Sequence, residues 1–491
     1  MSQLPTQTII GLEVHVQLKT DTKLFCGCST TFGSPPNTQV CPVCLGMPGA
    51  LPVMNEHAIE LAIKAGLAIH CSIPPLTKWD RKQYFYPDLP KGYQISQFDL
   101  PICADGFLEI ADPADVDAVR KIGITRAHLE EDAGKSMHDE VAGKSDSRID
   151  LNRCGTPLLE IVSEPDMRSA EEANAYLVKL RETMTHLGVS DCEMQEGSLR
   201  VDANVNLHID KDGEKVKTPI VEVKNMNSFR NVVAAIHFEE ERQYDEWERT
   251  GETIETRGKR TFGWNDVKQI TEVQREKEES ADYRYFPCPD LLPIRIPRER
   301  VDEIRKTLGE SPEAARERLQ SRYGIKQYDA EVIVSQGSAM VVYFDEVAEK
   351  SGDGKKASSW IQQDVMRTLK ERDEEVTRFG VTSAKLGELL SKVSSGDLTN
   401  DRARDVFKHL VDHPDASVDD AIKALGIESV DTGEIEALVK SLLAANPKVV
   451  DDVKGGNLKA VGALIGQARK QNPNASPQVV RETAIRLINE M

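Results

Sequence analysis

Two kinds of chemistry are written near the start of the chain. Cys26-Gly-Cys28 and Cys41-Pro-Val-Cys44 set two close thiol pairs twelve residues apart. Such pairs can supply the four thiolates of a tetrahedral Zn²⁺ site. A closed set of four leaves no position open to substrate, so the expected metal is structural. The Cys-x-Cys half is tighter than the common Cys-x2-Cys, while Gly27, Pro42 and Gly46 suit the sharp turns of a metal knuckle. Four unconnected free thiols are the competing reading. Just upstream, Ile10, Leu12, Val14, Val16 and Leu18 alternate with Glu13, His15, Gln17 and Lys19, the two-residue period of a half-buried strand. Its polar face carries a carboxylate, an imidazole, an amide and an amine.

Three further segments repeat that design. Leu199, Val201, Ala203, Val205, Leu207 and Ile209 alternate with Arg200, Asp202, Asn204, Asn206 and His208. Val221 and Val223 oppose Glu222 and Lys224, and Thr125, Ala127, Leu129 and Glu131 oppose Ile124, Arg126, His128, Glu130 and Asp132. A sheet with one wet face is the ordinary source of such a pattern. Asp and Asn are poor strand formers, however, and four strands presenting Asp, Asn, Arg, His and Glu together point to a concave functional surface. The carboxylates Glu13, Glu130, Asp132, Asp202 and Glu222, with His15, suit one or two hard divalent ions. Arg153, Arg200 and Lys224 suit the oxygens of a transferring phosphoryl group, whose transition state needs positioning and charge neutralisation above all. Lys78 to Gln97 interleaves Arg81 and Lys82 with Tyr84, Phe85, Tyr86 and Tyr93. That mixture can stack a base or ribose, and it equally describes an aromatic mini-core under a loop.

Gly-Lys-Ser occurs twice, at 134–136 and 143–145, but the glycine that a P-loop places five residues earlier is Leu129 in one copy and His138 in the other. No Gly-x-Gly-x-x-Gly fingerprint is present either. A nucleotide bound here therefore sits on a sheet.

The elements that must position these residues fill the first part of the chain. Alternating strand patterns run to about residue 295. Pro293 and Pro297 punctuate the junction, and helical spacing takes over from Arg298 to the end. The expected organisation is an α+β, mostly antiparallel-sheet domain over 1–295, a helical domain over 296–410 and a helical tail over 411–491. At 491 residues the chain suits about three domains. Five of its nine cysteines are scattered singly, which fits reduced thiols in a cytoplasmic protein. There is no apolar run long enough for a membrane and no secretory leader. A net charge of −19 argues against a broadly basic nucleic-acid binder. The tail is locally cationic at Lys459, Arg469, Lys470, Arg481 and Arg486, a candidate RNA-backbone contact or an ordinary solvated helix face.

The motifs resemble a known family. Gly11-Leu-Glu-Val-His-Val-Gln-Leu, Cys41-Pro-Val-Cys-Leu-Gly-Met-Pro-Gly, Asp80-Arg-Lys-Gln-Tyr-Phe-Tyr-Pro-Asp and Tyr93-Gln-Ile-Ser-Gln-Phe resemble the B subunit (GatB) of the aspartyl/glutamyl-tRNA amidotransferases. So do Glu130-Glu-Asp-Ala-Gly-Lys-Ser, Asp150-Leu-Asn-Arg-Cys-Gly-Thr-Pro-Leu-Leu-Glu-Ile-Val, Leu199-Arg-Val-Asp-Ala-Asn-Val-Asn and Glu222-Val-Lys-Asn-Met-Asn-Ser-Phe. The match is dense over residues 9 to about 290 and looser beyond, where Leu464-Ile-Gly-Gln-Ala-Arg-Lys still fits a tail domain.

The resemblance implies a glutamine-synthetase-like cradle that uses ATP to phosphorylate the side-chain carboxylate of Glu or Asp mischarged on tRNA(Gln) or tRNA(Asn). Ammonia channelled from a partner amidase, with a small third protein of the same complex wrapping the pair, then displaces the phosphate. It implies catalytic roles for Glu13, His15, Glu130 and Asp202, and Mg²⁺ held by His15, Glu13, Glu130 and Glu222. It further implies phosphate contacts at Arg153, Arg200, Lys224 and Lys82, Zn²⁺ on Cys26, Cys28, Cys41 and Cys44, and tRNA contacts at Lys459, Arg469 and Lys470. Two rivals stand beside it. A free-standing carboxylate–ammonia ligase would need neither tRNA nor partner, and a zinc-stapled RNA-binding protein would turn over no ATP.

Overall fold

The apolar faces of the alternating segments explain the architecture. In a computed structural model describing residues 4–138, 147–275, 283–372, 374–427, 432–455, 457–472, 475 and 477–490, Ile10, Leu12, Val14 and Val16 are buried along the strand Thr6–Gln17. So are Leu199, Val201, Ala203 and Val205 along Leu199–Lys211. Burying each large aliphatic side chain contributes about 1.5–3 kcal/mol, and a one-residue slip would turn the whole row outward. The two strands pair antiparallel with Glu13 opposite Asp202 and His15 opposite Arg200.

They form the centre of a nine-stranded sheet. From one edge to the other its order is Ile270–Arg275, Arg260–Asn265, Val221–Lys224, Leu199–Lys211, Thr6–Gln17, Pro157–Ser163, Asp115–Glu131 and Cys103–Asp112, with Glu214–Lys217 pairing off Leu199–Lys211. Every pairing is antiparallel except that of Val221–Lys224 with Arg260–Asn265, so the sheet is mixed. The α+β class holds.

Helices cover the apolar face. Ala170–His186 starts at Ser169, whose hydroxyl accepts the Glu172 amide, and Phe229–Thr250 starts at Ser228, whose hydroxyl accepts from Asn231. The second ends at Gly251 in the left-handed conformation. Tyr176, Leu177, Leu180, Val232 and Ile236 join the sheet's core, as do Ile59, Ile63 and Leu67 of Glu56–Ala68. With that face filled, the opposite one remains for Glu13, His15, Arg200 and their neighbours.

One expected face assignment changes. Alternation puts Ile124 with Arg126 and His128, but Ile124 is buried in the core while Arg126 and His128 are not on that side. The register against Pro157–Ser163 shifts at Thr125, so Ile124 pairs Ser163 and Arg126 pairs Val162. This bulge inserts one residue and reverses the sidedness beyond it.

The first compact unit runs to Ser311, because Arg298–Lys306 contributes Val301 and Ile304 to the sheet's core. The change to helical composition near 296 thus precedes the unit's end by one helix. The second unit, Pro312–Met491, is helical. One of its cores gathers Ile333, Phe344, Val347, Trp360, Leu386, Leu389, Val406 and Leu410 and runs to Ile427; another, from Ile435, gathers Val439, Leu442, Leu464, Val480 and Ile488. No described helix is long and apolar enough to cross a membrane. The second Gly-Lys-Ser copy, Gly143 to Ser145, lies outside the described residues.

Candidate functional site

Strand register brings the polar residues into rows. One row crosses four strands as Arg200, His15, Glu160 and His128, each directly opposite the next. Glu130 stands beside that row, so two imidazoles and two carboxylates meet. His15 Nε2 lies 3.3 Å from Glu160 and 3.9 Å from Glu130, and His128 Nε2 lies 3.5 Å and 3.8 Å from the same pair. His15, Glu130 and Glu160 each offer one donor atom within 4.8 Å of the others, a set that can hold one metal ion.

The electrostatics favour charge at this point. Burial lowers the His15 pKa, but the hydrogen bond and charge of Glu160, with Glu130, outweigh it and leave the value raised. Burial pushes Glu160 up, yet the His128, His15 and Lys82 charges hold its carboxyl well below the usual range. Three buried polar atoms of residues on this face, His128 Nδ1, Arg200 Nε and Asn204 Oδ1, have no hydrogen-bond partner among the described residues. Buried groups of that kind are normally satisfied, so each leaves an open valence.

Around this centre lie the other expected residues. Glu13 accepts a hydrogen bond from Asn204 at 2.9 Å. Asp202 is ion-paired to Lys224. Glu222 is held by Lys259 at 3.0 Å, Thr261 at 3.0 Å and Lys224 at 3.7 Å, which leaves its carboxyl lowered despite burial. The expected Mg²⁺ set is therefore divided. His15 and Glu130 meet with Glu160, and among the described residues Glu13 and Glu222 are not in that group. Asp132, 2% exposed at its side chain, takes Arg200 at 2.8 Å, Gln17 at 2.7 Å and Arg153 at 3.6 Å. Burial raises its pKa, but the two guanidiniums bring it down. Arg153 is fixed by the carbonyls of Ala133 at 2.9 Å and Gly134 at 2.7 Å.

A wall rises beside the centre. Phe286–Pro287, Asp80–Gln83 and Tyr93–Ser96 form a three-stranded sheet, joined to the Asp115–Glu131 strand through Gln94 to the Glu131 carbonyl at 2.7 Å and Ser96 to Glu130 at 3.4 Å. This carries Lys82 toward Glu130 and Glu160. Burial alone would lower its pKa, but those carboxylates raise it, so the ammonium stays charged. Its Nζ lies 4.8 Å from the Tyr283 ring centre and 6.0 Å from that of Tyr84, and Tyr285 stacks on Phe98 at 4.3 Å. Tyr84 and Tyr283 thus flank the Lys82 cation.

Cys26, Cys28, Cys41 and Cys44 converge, their four Sγ atoms within 4.8 Å of one another. Contact with Cys26, opposed by burial and assisted by the Cys41 amide and Lys23, brings the Cys44 thiol down to about 5. The same contact pushes the Cys26 thiol up, and the closed set of four cysteine sulfurs fits Zn²⁺. The knuckle is tied to the site. The Leu24 amide donates to the Gly155 carbonyl at 2.9 Å, the Gly155 amide to the Asp132 carbonyl at 2.8 Å, and the Gln39 amide to Asn152 Oδ1 at 2.8 Å. In the tail, Lys470 is exposed; the side chains of Lys459 and Arg469 lie outside the described residues.

Residue patterning put His128 on a polar face without giving it a role, and it missed Glu160. Glu160 follows Leu158 and Leu159 in an otherwise apolar strand, and only the register shows that it fills the gap between His15 and His128. Tyr283 and Tyr285 carried no local signal.

A family model described as the GatB/GatE catalytic domain matches residues 8–302, and one described as the GatB domain matches 342–488. The chain is 66% identical over 487 residues to the B subunit of the aspartyl/glutamyl-tRNA(Asn/Gln) amidotransferase of Rhodopirellula baltica, covering 99% of this chain and 98% of that one. It is 47% identical over 480 residues to the protein of that name from Geobacter sulfurreducens and 45% over 485 residues to that of Caldanaerobacter subterraneus. In both cases 97% of this chain and 98% of the relative are covered.

Proposed function

The chain belongs to the GatB family, the B subunits of the aspartyl/glutamyl-tRNA amidotransferases, and from that premise we propose that its sheet face is the kinase and transamidase centre of such an enzyme. The side-chain carboxylate of Glu on tRNA(Gln), or of Asp on tRNA(Asn), attacks the γ-phosphorus of ATP, and ADP leaves. Ammonia then attacks the acyl carbon, phosphate leaves with the C–O bond electrons, and loss of a proton yields the amide. The ammonia comes from glutamine by way of the partner amidase (the A subunit), with the small C subunit completing the complex in the cytoplasm.

The observation that carries this reading is the meeting of His15, Glu130 and Glu160 on a face bordered by Arg200, Lys224 and Lys82. His15, Glu130 and Glu160 would hold Mg²⁺, whose charge neutralises phosphate oxygens when bound. Glu13 and Asp202, one row further along, orient the Asn204 amide and the Lys224 ammonium. Glu222 orients Lys224 and Lys259 and takes no metal in this reading. Arg200, Arg153, Lys224 and Lys82 face carboxylates or carbonyls of the fold itself, and an entering triphosphate offers the guanidiniums and ammoniums stronger acceptors. The sheet cradle, of the glutamine-synthetase type, makes a P-loop unnecessary. In the tail, Lys459, Arg469 and Lys470 are the proposed tRNA-backbone contacts.

The test is release of inorganic phosphate from ATP by this chain assembled with its partner proteins, with and without Glu-tRNA(Gln) or Asp-tRNA(Asn). Release that requires the charged tRNA and is lost in His15→Ala supports the reading. Release by the chain alone on free glutamate would favour the ligase rival, and tRNA binding without ATP turnover would favour the RNA-binding one.

A further inference from the structure

Lys23 is a lysine with no access to solvent. Its Nζ donates to the Gln39 carbonyl at 2.7 Å and the Leu151 carbonyl at 3.5 Å, and lies 3.8 Å from Cys44 Sγ. Among the described residues no carboxylate is ion-paired with it. A buried cation persists where an anion offsets its charge, and two carbonyl dipoles do that only in part. The nearest group able to carry negative charge is Cys44 Sγ, one of the four sulfurs of the cluster. Four thiolates closed on a divalent ion form a net dianion, and its buried member, Cys44, meets the complementary problem.

We propose that Lys23 is the buried counter-cation of the Cys26, Cys28, Cys41 and Cys44 metal site, offsetting the dianion formed when those thiolates close on a divalent soft ion such as Zn²⁺. The proposal rests on the four cysteines taking a metal and is independent of the reaction on the sheet face. Loading is not a redox event: the ion enters and the thiol protons leave to solvent. Lys23 touches no metal. It acts through Cys44, as the groups behind metal ligands commonly do. Its second bond has a consequence as well. Leu151 begins the loop whose Arg153 reaches Asp132, so the counter-cation also ties the thiolate cluster to that loop.

The alternative is that Lys23 is a hydrogen-bonded clamp whose charge is immaterial. Lys23→Gln separates the two, because an amide still donates to carbonyls but carries no charge, while Lys23→Arg keeps the charge. Zn²⁺ affinity of the full chain is measured by competition with a chromophoric chelator, and site geometry by the absorption of the Co²⁺ form. The expected result is about 10- to 100-fold weaker Zn²⁺ binding in Lys23→Gln, the usual size of such an outer-shell loss, with affinity largely kept in Lys23→Arg. Zn²⁺ bound by Lys23→Gln as tightly as by the unaltered chain overturns the proposal, and so does an unaltered chain that binds no Zn²⁺. Should Lys23→Gln fail to fold, acetylation of Lys23 in the unaltered chain, followed by mass spectrometry with and without chelator, takes its place. Protection that disappears with the metal supports the counter-cation, and labelling that does not depend on metal overturns it.

Discussion

Lys91→Met tests whether the buried charges beside the site hold the fold together. Lys91 is ion-paired to Glu131, the side chains being 5% and 3% exposed. The lysine stem packs against Gly46, where an added Cβ would come within 2.4 Å of Lys91 Cγ and where φ is +67°. Methionine keeps that stem and removes the charge, so packing changes little and Glu131 is left as an uncompensated buried carboxylate. Removing one partner of such a pair costs about 3–5 kcal/mol. The N-terminal unit runs to Ser311. At an unfolding entropy of about 2.1 cal/mol/K per residue, that cost corresponds to a melting temperature lower by roughly 5–8 °C.

The assay is scanning calorimetry at neutral pH on the unaltered chain, Lys91→Met, Glu131→Leu and the double variant. Burial lowers the Lys91 pKa but Glu131 raises it overall. The sign follows: the pair's contribution is fully present below the unfolded lysine value of about 10.4 and is lost only as pH rises through the folded one. Neutral pH therefore reads the charged pair. Removing both charges should recover most of the loss, because a buried pair replaced by apolar groups is often close to neutral. A single-variant cost below about 1 kcal/mol, or single effects that add within about 0.5 kcal/mol, would refute the reasoning.

Two further predictions concern the site and a distant charge cluster. Glu160→Gln should lower phosphate release by the assembled enzyme about 100-fold or more, as loss of a metal-holding carboxylate does; a rate near that of the unaltered enzyme removes Glu160 from the site. Glu246, paired with Arg242 at 2.6 Å and Arg260 at 2.9 Å, has a carboxyl that burial pushes up but the two guanidiniums bring down overall. It should therefore stabilise the fold above the unfolded value of about 4.3 and cease to do so as pH falls through the depressed folded value. Glu246→Gln should be less stable than the unaltered chain at pH 7 and indistinguishable from it near pH 2 in denaturant unfolding; a difference that persists undiminished in acid contradicts the pairing.

Much of this site was legible because strands have a period of two. Glu13, His15, Arg200 and Asp202 share a face because Leu12, Val14, Val201 and Ala203 must share the other. The close spacing of Cys26 with Cys28 and of Cys41 with Cys44 likewise limits each pair to a tight turn. The exceptions have particular causes. Ile124 and Arg126 share a face by simple alternation only, because the bulge at Thr125 turns the strand over between them. Glu160 was hidden by apolar neighbours that are buried on both sides of the strand, Leu158 and Leu159 among them. Lys23 reads as a surface lysine in any window of sequence, yet it is enclosed by residues 39, 44 and 151.

The amino-acid sequence by itself determined what is local: the alternation of apolar and polar residues along the strands, the turn to helical spacing near residue 296, the two thiol pairs, and through its motifs the family. Tertiary structure decided which polar residues meet. Register between strands distant in sequence sets His15 beside Glu160 and Glu160 beside His128. The return of Phe286–Pro287 against Asp80–Gln83 brings Tyr283 and Tyr285 toward Lys82. The physical reason is that side-chain direction follows from backbone geometry one residue at a time, whereas a metal-sized cluster depends on packing and pairing between segments separated along the chain, fixed only when the whole apolar face closes.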